Sequence, residues 1–154
     1  MKLHFVCASV GIAAALAMLT PLAFAQDETE RAKLNGSWQA KEQGATQAVW
    51  TIQPQGENMR VTSSEGDRTV AEFVCQLAKQ CDAKDAGKKV KVMFYFNGAK
   101  LVMMETRGEE VVKRLFGPGD AADALDVEMI PVAPAGKSET THYTRVQTVA
   151  TTKP

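Results

Sequence analysis

The sequence predicts an all-β antiparallel domain, a barrel or a sandwich of about eight or nine strands, on two observations. From Gly36 onward, short segments rich in Val, Ile, Phe, Thr and Trp recur at close spacing, separated by Gly, Asp, Asn and Pro. Within those segments apolar and polar residues alternate, as a strand with one buried face requires. The length of 154 residues allows one domain with tails.

Residues 1–25 precede the pattern and are set apart from it. Lys2 supplies a positive start, Phe5 to Leu19 is apolar except for Ser9, and Thr20-Pro21 breaks the run. Ala23-Phe24-Ala25 then places small residues three and one positions before Gln26. Charge, apolar run and small-x-small form the layout of a cleaved secretory signal. The run is about 15 residues, short of the roughly 20 that span hydrocarbon. Cys7 lies near the start of the run, the wrong place for a lipid-modified cysteine. Cleavage after Ala25 leaves residues 26–154, expected in a periplasm or outside the cell.

Residues 26–34 (QDETERAKL) are charged and read as a flexible lead-in, with at most one helical turn. Candidate strands follow at about 36–42, 46–53, 58–63, 68–75, 89–96, 100–107, 110–116, 125–132 and 139–147. Asn97-Gly98 between two apolar runs is the strongest hairpin signal in the chain. With the turn at Arg107-Gly108-Glu109 it makes residues 89–116 a three-strand meander. In the first of these strands Val90, Val92, Phe94 and Phe96 share one face, while Met93 and Tyr95 make the other partly apolar. The domain ends at 147, and residues 148–154 read as a frayed tail.

Two cysteines, Cys75 and Cys81, remain beyond the leader. An oxidising compartment favours pairing them. Six helical residues rise about 9 Å, beyond the roughly 7 Å Cα limit of a disulfide. Disulfide and continuous helix over 75–86 therefore exclude each other, although the composition there is helical. The reading taken is the disulfide, in a bent loop.

Composition excludes several function classes. The net charge is zero, from 18 basic and 18 acidic residues, so nothing in the balance points to nucleic acid. An apolar fraction of 45% is too high for disorder. His142 is the one histidine after the leader, with no nucleophile motif beside it. Glu109 and Glu110 are adjacent on a strand and face opposite ways, so they form no acid–base pair. Asp120, Asp123 and Asp126 lack EF-hand spacing and read as a solvated loop. Met93, Met103, Met104 and Met129 read as core or cavity lining rather than soft-metal ligands. Lys79, Lys84, Lys88, Lys89 and Lys91, interrupted by Asp82 and Asp85, read as a solvated face. No catalytic set, metal site or cofactor is expected.

Leu34-Asn35-Gly36-Ser37-Trp38 carries a wider reading. G-x-W at the start of a β-rich chain of this size resembles the opening of calycin barrels, the lipocalins and their relatives. L-N-G-x-W is also similar to the opening of small exported bacterial proteins. In the calycins the first-strand Trp closes one barrel end and a late Arg packs across its indole. The resemblance assigns these roles to Trp38 and Arg145, as a structural pair joined by a cation–π contact. It implies an up-and-down barrel, with a β-sandwich as the alternative. A barrel of about eight strands is wide enough for one small ligand. The implied function is a non-catalytic exported protein that binds a small apolar or amphipathic molecule, in a pocket lined by Phe94, Phe96, Met103 and Val112. The alternative is a protein-interaction or protease-inhibitor-like module with a filled barrel, meeting a secreted or periplasmic protein through 26–34 or a loop. A cavity of some hundreds of Å³ favours the first, a packed interior the second. No membrane span is expected after cleavage, and a monomer is the simplest assembly.

Overall fold

The computed structural model describes residues 22–41 and 48–147. Residues 1–21, 42–47 and 148–154 lie outside the described residues, and with them most of the expected leader and the whole expected tail. Ten strands wind up and down: β1 Gly36–Ala40, β2 Ala48–Gln55, β3 Asn58–Glu65, β4 Arg68–Gln76, β5 Gln80–Asp85, β6 Lys88–Asn97, β7 Lys100–Arg107, β8 Glu110–Pro118, β9 Ala124–Ala133 and β10 Glu139–Arg145. Each pairs antiparallel with the next, and β1 pairs with β10, so the sheet closes into a barrel and the sandwich alternative falls. Closure gives every strand a neighbour on both sides, whereas an open sheet would leave two edges as templates for association.

The strand beyond the expected eight or nine is β5. Residues 75–86, read from sequence as a bent loop, form the end of β4, a turn at 77–79 and then β5. Gln80, Asp82 and Lys84 face outward and only Cys81 and Ala83 add apolar surface inside, so the alternation is too faint to read as a strand. Its pairing with β6, from Gln80↔Met93 to Asp85↔Lys88, decides the matter instead. At the other hairpin the sequence signal holds: Gly98 has φ 59°, the left-handed backbone that a two-residue loop between paired Asn97 and Lys100 requires.

The flexible lead-in expected over 26–34 gives way to helix. α1 Leu22–Lys33 meets the barrel through its C-terminal part, where Arg31 reaches β6 and the following turn. Arg31 is the anchor: its Nε donates to the Gly98 carbonyl at 2.8 Å, and its guanidinium stacks 4.7 Å from the Phe96 ring centroid. Leu34, just after the helix, is buried, and its carbonyl accepts from Trp38 Nε1 at 2.9 Å.

Alternation puts Trp38, Ile52, Val61, Phe73, Val92, Phe94, Leu101, Met103, Phe116 and Leu125 inside, each at most 1% exposed. Almost none of the surface of these side chains is open to water, so they fill the middle of the barrel as a close-packed core. The inward positions change character along the axis. Near α1 they are Trp38, Met59, Phe96 and Leu101. Towards the opposite end they include Asp85, Glu105, Arg107 and Arg114.

Candidate functional site

The α1 end of the barrel is assembled around Trp38. Arg145 stands opposite Trp38 in the β1–β10 register, with its guanidinium carbon 4.1 Å from the indole centroid. Its two Nη groups donate to the carbonyls of Lys33 and Asn35 at 2.6 and 2.7 Å. A cation thus closes the C-terminal end of α1, where backbone carbonyls have no partners within the helix. Gly36 explains the first letter of the G-x-W motif. Its φ is +137°, and an added Cβ would lie 2.3 Å from Arg145 Nη1, so the guanidinium occupies the space any side chain would need.

Beside this closure lies a crevice of about 510 Å³. Pro54, Met59, Leu77 and Phe96 form its apolar floor, and Glu28, Arg31 and Asn58 supply its polar rim. Three features of the chain build it. The β2–β3 turn carries Pro54 to Asn58 to the barrel's rim. The β4–β5 turn hangs Leu77 over it, held by Leu77 N to Glu57 O and Ala78 N to Phe94 O at 3.0 and 2.7 Å. Helix α1 forms the remaining wall.

The four residues expected to line a pocket share the interior side of the sheet at different depths. Phe94 and Met103 are register partners and lie wholly within the core. Phe96 is partly buried and opens into the crevice. Val112 pairs with Glu105, towards the far end. The structure therefore does not gather the four around one space.

The far end holds a charge network that sequence reading missed. Glu105 is buried and accepts from Arg107 at 2.9 Å and from Arg114 at 2.7 Å, while Arg107 also pairs with Asp85. Two cations and two anions offset one another there. Arg114 lies 5.9 Å from the Trp50 ring centroid, and Trp50 packs edge-on against Phe116. Burial pushes the Tyr143 phenol up, against a hydrogen bond from Trp50 and the charge of Arg114, which pull it down. The signal was present in the chain: Glu105 and Arg107 continue the inward alternation of Leu101 and Met103.

Cys75 and Cys81 form a disulfide with Cα atoms 5.7 Å apart. His142 sits exposed on β10, with Nδ1 2.7 Å from Asp126 Oδ1. Among the described residues, no three His, Cys, Asp or Glu side chains come together to hold a metal.

No protein-family model and no curated relative matches the chain. Solved structures do. A secretory abundant heat soluble protein of Ramazzottius varieornatus superposes with a TM-score of 0.64 at 11% identity, over 74% of this chain and 96% of that one. A fatty-acid-binding protein of Schistosoma mansoni, in complex with arachidonic acid, gives 0.63 at 14% identity, over 77% and 99%. Fatty-acid-binding protein 1 of Echinococcus granulosus gives 0.62 at 9% identity, over 75% and 99%. The barrel has the calycin-like fold. Identity this low speaks for architecture alone.

Proposed function

We propose that this protein is a non-catalytic binding protein for a small apolar or amphipathic molecule, seated in the crevice at the α1 end of the barrel. The crevice itself carries the reading. Its volume falls in the range of small-molecule sites, about 300–1,000 Å³, and it combines an apolar floor with a few polar rim groups. Arg31, a cation on the crevice lining whose Nε is engaged by Gly98, would attract a ligand's polar end. The fold adds support, since fatty-acid-binding proteins use the same barrel. The middle of the barrel is filled, so the ligand is placed at the end rather than on the axis. The leader-like residues 1–25 further suggest export, with the mature chain starting at Gln26; an intact mass that retains residues 1–25 in the exported protein overturns that part.

The test is titration with a fluorescent fatty-acid analogue. Leu77→Asp and Phe96→Ala should each weaken binding about tenfold, roughly 1.4 kcal/mol. Val132→Ser, an exposed position on β9, is the control. Wild-type affinity in both crevice variants overturns the assignment.

The packed core favours one second reading, a protein-interaction or inhibitor-like module acting through its outer surface. Absence of any bound amphiphile in native mass spectra, together with capture of a stoichiometric protein partner, would favour it.

A further inference from the structure

Among the described residues the shortest-paired seam of the barrel lies between β4 and β5, with two register pairs against three for β1 and β10. Every flanking pair is long: β3 and β4 are in register from Asn58↔Gln76 to Glu65↔Arg68, and β5 and β6 from Gln80↔Met93 to Asp85↔Lys88. β4 and β5 pair only at Ala71↔Asp85 and Glu72↔Lys84. Continuing that register places Phe73 opposite Ala83 and Cys75 opposite Cys81, where the ladder has already ended. The disulfide therefore stands at the position that backbone hydrogen bonds have vacated, and it is the covalent tie across the seam.

This tie also borders the crevice. Cys75 faces Met59 in the β3–β4 register, and Met59 is part of the crevice floor. Leu77, another floor residue, begins the turn that the disulfide closes. That turn is also held by three backbone bonds, Leu77 N to Glu57 O, Ala78 N to Phe94 O and Lys79 N to Gln76 O. Cys75 is buried and Cys81 is partly buried, so Cys81 is the more exposed residue of the pair.

We propose that the Cys75–Cys81 disulfide is a redox latch on the crevice: oxidised, it fixes the Leu77 wall, and reduced, it lets the β4–β5 seam part and the ligand leave. The proposal rests on the crevice being the ligand site. The reductant is a dithiol. Its thiolate attacks Cys81 Sγ, a mixed disulfide forms, and Cys75 leaves as a thiolate that takes up a proton. The second thiol of the reductant then displaces Cys81 and closes its own disulfide. Two electrons and two protons pass to the protein, which ends with two thiols. Removal of the cross-link restores conformational freedom to the short loop that it closes.

The experiment is stopped-flow release of 1-anilinonaphthalene-8-sulfonate from the full chain carrying Cys7→Ser, so that one cysteine pair remains. Oxidised protein should bind the dye, with Leu77→Asp weakening it. Reduction by dithiothreitol should speed release at least tenfold while the far-ultraviolet spectrum stays that of the barrel. Adding Cys75→Ser and Cys81→Ser together should give the fast rate with or without reductant. An unchanged release rate with both thiols shown free overturns the latch and leaves the crevice assignment standing. No dye binding by the oxidised protein overturns both. Unfolding on reduction, together with failure of the double-serine variant to fold, overturns the latch and makes the disulfide a structural staple.

Discussion

Arg145 lies flat over Trp38, 4.1 Å from ring centroid to guanidinium carbon, and the same guanidinium holds the last carbonyls of α1. One side chain from the final strand thus joins the first strand to the helix before it. The contact explains how residues 110 positions apart in sequence, Asn35 and Arg145, shut one end of the barrel.

Trp38→Ala should cost about 3–5 kcal/mol, since it empties a fully buried aromatic site. Arg145→Ala should cost about 1–2 kcal/mol, mostly the cation–π contact. In urea melts the double variant should fall short of the sum, because both substitutions remove the same contact. Trp50 is the internal comparison: it should couple to Arg114, which lies over its ring, and not to Arg145. Strict additivity for Trp38 and Arg145 would contradict the geometry.

Gly36→Ala should destabilise as strongly as losing Arg145 itself. The new Cβ must displace Arg145 Nη1 and hold a backbone angle that side chains rarely adopt. The check is a melt of Gly36→Ala in the Arg145→Ala background, where only the backbone part of the cost should survive.

Glu105→Gln keeps the shape but removes the charge shared by Arg107 and Arg114. The loss should be about 1–3 kcal/mol, the range for hydrogen bonds to a buried charged group. Arg107 is a third exposed, so water softens its share and Arg114→Ala should be the stronger partner variant. Equal stability of wild type and Glu105→Gln at neutral pH would show that the network contributes nothing.

Tyr143 predicts an alkaline weakness. Its phenol is pushed above the ordinary value of 10.0, chiefly by burial. The folded state therefore binds this proton more tightly than the unfolded state. The contribution is complete below about pH 10 and is lost as pH rises through and beyond that value. Tyr143→Phe should flatten the fall in melting temperature above pH 10.

Thiol titration of unfolded, unreduced protein should find Cys75 and Cys81 unreactive. A chain that retains residues 1–25 should show one thiol, from Cys7, and a chain starting at Gln26 none. Two further thiols would mean that the pair is not bonded.

The all-β class and the hairpin at Gly98 were legible in the sequence because each rests on local chemistry, while the Trp38–Arg145 pair was reached through the resemblance to calycins. Period-two alternation encodes a buried face wherever that face is apolar. A left-handed turn demands glycine. The disulfide was legible too, through an even cysteine count and a spacing no helix could bridge. What the tertiary structure alone decided are the features that depend on neighbours. Strand β5 exists because β6 offers it a full ladder, not because QCDAKD alternates strongly. Helix α1 is held by Phe96, Gly98 and Arg145, all far away in the chain, so its charged sequence alone read as a loose lead-in. Phe94, Phe96, Met103 and Val112 point inward as alternation requires, yet depth along the barrel axis separates them. Period two fixes the side of a strand that a residue faces. It carries no information about height in a tilted barrel, and height is what leaves Phe94 and Met103 packed in the core and Phe96 at the crevice.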